Sequence, residues 1–209
     1  MLDIDLREGF FSGERWIDRG EFESRVRRAA AVLKALEVLP GDAVALLLRN
    51  DFCFFEATYG ANLIGAYAVP INWHATDIEL SYLLKDAKPR VLVGHADLLH
   101  RVPRSLTDAK SGGMQVLVVE TPAEVINAYG LNTEAHVGES IGALWCSLRD
   151  SATELRQPSA DVIQSMFYTS GTTGSPKGVR RLAQSRDDAE ILGQVRDSIF
   201  GLNPGVNAL

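Results

Sequence analysis

Ala43-Val-Ala-Leu-Leu-Leu48 is a continuous apolar run of six residues, and it constrains the fold more than any other stretch. A strand with one wet face alternates polar and apolar side chains. A run with no alternation reads as a strand covered on both sides, the pattern of parallel sheets. The run is also far too short to span a bilayer. Leu39-Pro-Gly-Asp42 turns the chain into it.

The segments around this run alternate between strand and helix signals. Gly13–Ile17 reads as a short strand after a turn, and Asp18 as a helix N-cap with Glu21 three residues on. Phe22, Val26, Ala29, Leu33 and Leu36 then recur at helical spacing, with Arg25, Arg27, Arg28 and Lys34 on the remaining faces. Phe52–Gly65 reads as a helix buried through Phe55, Tyr59 and Leu63, and Ala66–Ile71 as the next strand. Thr76 and Glu79 form a second capping box before Leu80, Leu83 and Leu84. Arg90–Val93 and Gln115–Glu120 read as strands, the second after the Ser111-Gly-Gly113 turn. Between residues 120 and 158 the signals are weak: Thr121-Pro122 and Gly130 suggest loop, and Ile141–Leu148 a short helix. The whole predicts an α/β fold, a mostly parallel sheet with right-handed crossovers.

Composition removes several classes of function. The 209 residues carry a net charge of −6, which argues against a nucleic-acid partner, since that needs excess Lys and Arg. Cys53 and Cys146 are remote in sequence and lack CxxC spacing, which suits a reducing compartment and offers no metal site. Cys53 reads as a small core residue. The acidic start, residues 1–8, is no secretory signal. A soluble, cytoplasmic protein without a membrane span is the expectation.

The chemistry concentrates in Thr169-Ser-Gly-Thr-Thr-Gly-Ser-Pro-Lys-Gly178, which follows the strand-like Val162–Tyr168. Glycines permit close backbone approach, so successive amides can converge on one anion. Five hydroxyls add rotatable donors, Lys177 adds a point charge, and Pro176 stiffens the segment. From Val162 to Arg186 there is no Asp or Glu, while Lys177, Arg180, Arg181 and Arg186 give +4, so the rest of the chain sums to −10. Such a cationic window suits a small polyanion. A flexible linker has the same composition. Against it, the segment follows an apolar strand, and a capped helix is predicted beyond it, from Ser185 and Asp188 through Ile191, Leu192, Val195 and Ile199 to Gly201. Neither GxxxxGK[ST] nor GxGxxG fits the spacing of Gly171, Gly174 and Lys177.

The eleven residues Tyr168–Gly178 resemble, without a break, the phosphate-binding signature of the adenylate-forming superfamily, and most closely that of the AMP-forming acyl-CoA synthetases. Leu39–Asn50 is similar to that family's early turn, strand and Asn, Gly65–Asn72 to its next strand, and Glu79–Val93 to the helix and strand that follow. Family members often continue past the loop with a short strand and a His, and Val179–Gln184 has no His. The resemblance implies two half-reactions. A carboxylate attacks the α-phosphorus of MgATP, giving an acyl-adenylate and pyrophosphate, and a thiol, usually coenzyme A, then displaces AMP. It also implies that Thr169, Ser170, Thr172 and Thr173 donate hydroxyls to the β- and γ-phosphates. Gly171 and Gly174 would bring amides close, and Lys177 would supply charge.

No catalytic base is implied, because a carboxylate is already ionised. His74, His95, His100 and His136 are therefore not needed in that role, and packing is the expected role of His74 beside Trp73. The family's adenine, ribose and C-terminal-lysine motifs have no counterpart before Leu209. The resemblance thus makes residues 1–209 an incomplete N-terminal portion of the adenylation domain, with the C-terminal domain absent as a partner. A non-catalytic phosphate-binding module or an inactive fragment is the alternative. The acyl substrate stays unspecified, and so does the oligomeric state, a homodimer included.

Overall fold

The computed structural model describes residues 9–131, 141–157, 166–169 and 176–180. Gly9–Ser12 (β1) and Arg15–Asp18 (β2) form an antiparallel hairpin, whose first arm the sequence reading omits. Arg19–Ala35 (α1) follows, and the Asp18 carboxylate accepts from the Glu21 amide at 2.8 Å, as a cap should. Glu21 does not act as the second half of a capping box; its carboxylate accepts from Arg25 at 2.6 Å, one turn along. Phe22, Val26, Ala29 and Leu33 of the predicted stripe are buried.

Ala43–Leu47 (β3) is buried at every position. It pairs in parallel with Tyr67–Pro70 (β4) on one side and Val91–His95 (β5) on the other, Ala45 lying opposite both Val69 and Leu92. Gln115–Val119 (β6) and the short Ala143–Leu144 (β7) complete a five-stranded parallel sheet of order β4-β3-β5-β6-β7. The continuous apolar run has its explanation here. Val44 and Leu46 face a layer containing Ala29, Leu33, Ala57 and Trp145. Ala45 and Leu47 face the opposite layer, with Leu80, Leu84, Leu98 and Leu106.

Phe52–Leu63 (α2) corrects the sequence reading in which Phe55, Tyr59 and Leu63 form the buried face. Its buried positions are Phe52, Cys53, Glu56, Ala57, Gly60, Ala61 and Asn62, and Tyr59 is 40% exposed. The cause is close helix packing: a Cβ at Gly60 would lie 2.9 Å from Ala29 Cβ and 3.0 Å from the Ala30 amide nitrogen. Large side chains do not fit there, so Phe55 and Leu63 pack instead in a side cluster with Ile17 and Phe22.

Asp77–Ala87 (α3) has the predicted capping box: Glu79 N–H donates to Thr76 Oγ1 at 3.3 Å, and Thr76 N–H donates back to Glu79 Oε2 at 2.8 Å. Ala96–His100 (α4), Pro103–Ser111 (α5) and Ala123–Tyr129 (α6) are helices the sequence reading omits. Its single helix over Ile141–Leu148 divides into β7 and then Trp145–Ser151 (α7), because Ala143 and Leu144 pair with Leu117 and Val118. The α7 helix also packs Cys146 against the core cluster that holds Cys53, although the two are remote in sequence, and both thiols are free. Among the described residues no helix is long and apolar enough to cross a membrane.

Candidate functional site: a loop-bearing hairpin seated on helix α3

Met166–Thr169 (β8) and Lys177–Arg180 (β9) are the two arms of an antiparallel hairpin, separate from the main sheet. Tyr168 lies opposite Gly178 and Thr169 opposite Lys177, so the glycine- and hydroxyl-rich segment is the connection between two strands. The structure thus adds the strand Lys177–Arg180, which the sequence reading omits. It also corrects the expectation of a buried strand before the loop, for Met166 is buried while Phe167 is 44% exposed. The helix expected from Ser185 to Gly201 lies outside the described residues.

Of the expected phosphate-binding residues, the structure brings Thr169 and Lys177 together as the last register pair of the hairpin. Ser170, Gly171, Thr172, Thr173 and Gly174 lie outside the described residues. Lys177 is exposed and makes no ion pair among the described residues. The other described cation of the hairpin, Arg180, is committed elsewhere, its guanidinium 5.0 Å from the centre of the Tyr67 ring. Gly178 serves a purpose different from backbone approach to an anion. A Cβ there would collide with the end of the Met166 side chain and lie 3.1 Å from Tyr168 Cζ, so the glycine makes room for side chains of the facing strand.

Two side chains that sequence reasoning missed seat this hairpin on α3. The Tyr168 hydroxyl donates to Asp86 Oδ2 at 2.6 Å, and the Tyr82 hydroxyl donates to the Pro176 carbonyl at 3.0 Å. Burial, and then the hydrogen bond to the Asp86 carboxylate, push the Tyr168 phenol above its ordinary range. Beneath them Met166 packs with Ala43, Val69 and Ala87, the point where the hairpin meets β4 and the end of α3. The only hint in the sequence is a tyrosine on the polar face of a helix, one turn from an aspartate.

A second group of polar side chains lies beyond the carboxyl ends of β3 and β5. Arg49 grips Asp97 through both terminal nitrogens at 2.8 and 2.6 Å, and the Thr121 hydroxyl donates to Asp97 at 2.8 Å. The Arg49 guanidinium also sits 5.1 Å from the Trp73 ring centre and 5.5 Å from that of Tyr129. Asp51 accepts from Ser12 at 2.7 Å, from Arg15 at 2.8 Å and from the Phe52 amide at 2.7 Å. Burial alone would raise the Asp51 carboxyl, but His95, Ser12 and Arg15 around it hold it well below the usual carboxylate range. His95 is fully buried, with Nδ1 accepting from the Arg49 amide at 3.1 Å. These contacts tie strand ends to helix starts. His74 is exposed and lies beside its neighbour Trp73, with ring centres 3.5 Å apart and the planes tilted by 32°.

A parallel α/β unit, covered on both faces, with a hairpin carrying a glycine–hydroxyl segment at its edge, defines the structural class. The family model described as "AMP-binding enzyme" matches residues 6–184, and the chain belongs to that family. The chain is 32% identical over 152 residues to the fatty acid–[acyl-carrier-protein] ligase ScoC of Streptomyces coeruleorubidus, covering 73% of this chain and 25% of that protein. It is 31% identical over 161 residues to the long-chain-fatty-acid–CoA ligase FadD13 of Mycobacterium tuberculosis, covering 76% and 28%. Among solved structures, a benzoate CoA ligase from Burkholderia xenovorans superposes with a TM-score of 0.71 at 21% identity, over 93% of this chain and 35% of that one. The chain thus spans about a quarter to a third of the length of these relatives.

Proposed function

We propose that residues 1–209 are the N-terminal, phosphate-gripping part of an AMP-forming carboxylate–thiol ligase, completed by a C-terminal domain that this chain does not contain. One observation carries the proposal: the hairpin ends in the Thr169–Lys177 pair, with an exposed ammonium uncommitted to any ion pair among the described residues. The signature joining that pair offers hydroxyls, amides and one cation, a donor set that suits phosphate oxygens. It lacks the carboxylates a hard cation prefers, so Mg²⁺ belongs, on this reading, to the phosphates of ATP.

In this reading a substrate carboxylate attacks the α-phosphorus of ATP, and the bond to pyrophosphate breaks. Thr169, Ser170, Thr172 and Thr173, the amides near Gly171 and Gly174, and Lys177 hold the departing β- and γ-phosphates. Each such donor is worth about 3 kcal/mol when it is positioned before charge develops. A thiol then takes the acyl group and releases AMP. Coenzyme A is the proposed thiol, although the names of the relatives include both a CoA ligase and an acyl-carrier-protein ligase. The acid stays at the level of its class, since fatty-acid and benzoate ligases both appear among the matches.

ATP–pyrophosphate exchange tests the reading. The 209-residue chain alone is expected to give none above background with any carboxylic acid, because the adenine, ribose and C-terminal-lysine contacts lie elsewhere in the family. Exchange by the isolated chain would overturn that division of labour. Wild-type exchange by a Lys177→Ala variant of a protein containing the remaining domains would overturn the assignment of the hairpin.

A further inference from the structure

Tyr82 and Asp86 stand four residues apart on α3, so they occupy one face of the helix, one turn from each other. Neither belongs to its buried stripe, which is Leu80, Leu83, Leu84 and Ala87. Each nevertheless makes a specific bond to the hairpin, and the two bonds go to different arms. Asp86 takes the Tyr168 hydroxyl of β8, one residue before Thr169. Tyr82 donates to the carbonyl of Pro176, one residue before Lys177. The two contacts therefore straddle the turn.

The hairpin needs such support. A two-stranded ribbon is marginal by itself, and its arms are only four residues each. Met166 is its one buried apolar anchor among the described residues, since Phe167 and Val179 face outward. Its seat, by contrast, is rigid, for α3 is capped at its start by Thr76 and Glu79 and held below by three leucines. A group that binds an anion gains from being held in place before the anion arrives.

We infer that Tyr82 and Asp86 are positioning residues, which clamp both arms of the hairpin to α3 and thereby set its affinity for phosphate. The inference rests on the phosphate-binding reading above, deepens it, and assigns the two residues no contact with the anion.

The test measures amide hydrogen exchange at Phe167, Tyr168, Gly178 and Val179, together with calorimetric titration of inorganic pyrophosphate, on the 209-residue chain. Tyr82→Phe keeps the ring and removes its donor, and Asp86→Ala removes the acceptor while keeping a good helix former. Each is expected to speed exchange in both arms and to weaken pyrophosphate binding about 3- to 10-fold, with the melting temperature near that of wild type. Tyr168→Phe added to Asp86→Ala is expected to change exchange less than two-fold further, because one and the same bond is lost in either case. Unchanged exchange would remove the clamp. Faster exchange with unchanged pyrophosphate affinity would leave a clamp without a positioning role, and so overturn the inference alone. A wild-type chain that binds no pyrophosphate would bring down the phosphate reading and the inference with it.

Discussion

All five residues of β3 and all five of β5 are buried, whereas all four residues of β9 are exposed. The sheet is held by area removed from water on two faces, so no single polar contact decides where its strands lie. The hairpin has one buried methionine and two hydroxyl bonds to α3, so a few polar contacts decide where it lies. The comparison teaches that the stable part and the proposed working part of this chain depend on different forces. Substitutions should therefore separate stability from phosphate binding.

The largest effect is expected on the sheet side. Glu56 is fully buried between α2 and α7, with Oε2 accepting from Arg149 at 2.6 Å and from the Trp145 indole at 3.3 Å. Glu56→Ala leaves the buried Arg149 with only the exposed Asp150, 2.8 Å from its Nε, as counter-charge, and should cost about 3 kcal/mol in urea unfolding. A loss below about 1 kcal/mol would break the contrast. Lys177→Ala comes next, and acts on function alone. It should slow ATP–pyrophosphate exchange roughly 100-fold in a protein with all its domains. Its unfolding midpoint should stay at the wild-type value, because the side chain is exposed, and a large shift would show that the hairpin contributes to the core.

Acid should affect the network beyond the strand ends before it affects the hairpin. The Asp51 carboxyl is depressed in the folded protein, so it binds its proton less readily there than in the unfolded chain. Its contribution is complete above the ordinary carboxylate range, near pH 4, and declines as the pH falls below that. Asp51→Asn retains a good helix cap and removes the charge. It should cost about 1–2 kcal/mol at pH 7 and flatten the loss of stability between about pH 4 and pH 2. An unchanged acid profile would assign the effect to other groups. The smallest effect belongs to Val179→Thr, on the outward face of the hairpin, which is 51% exposed. It should change stability by less than about 0.5 kcal/mol.

Much of this architecture was legible along the chain. The apolar run at Ala43–Leu47 marks a strand covered on both sides, Gln115–Val119 was legible as a further strand, and Thr76 with Glu79 marks the start of α3 through bonds that span three residues. The family was legible by an unbroken signature, whereas Tyr82 and Asp86, which seat the candidate hairpin, were not. The buried face of α2 was not legible, because hydrophobicity points to Phe55 and Tyr59 while close approach of α1 admits only small side chains around Gly60. Nor was β7 legible, since two residues carry too little pattern and become a strand only by pairing with β6.

The sequence by itself determined the elements whose signals are local: the apolar runs, the caps, and a segment dense in glycine and hydroxyls. Tertiary structure alone decided which side chains meet across long separations. Tyr82 reaches Pro176 and Asp86 reaches Tyr168 over 94 and 82 positions. Periodicity records how a residue relates to its own helix or strand, and such partnerships arise only when separate elements pack.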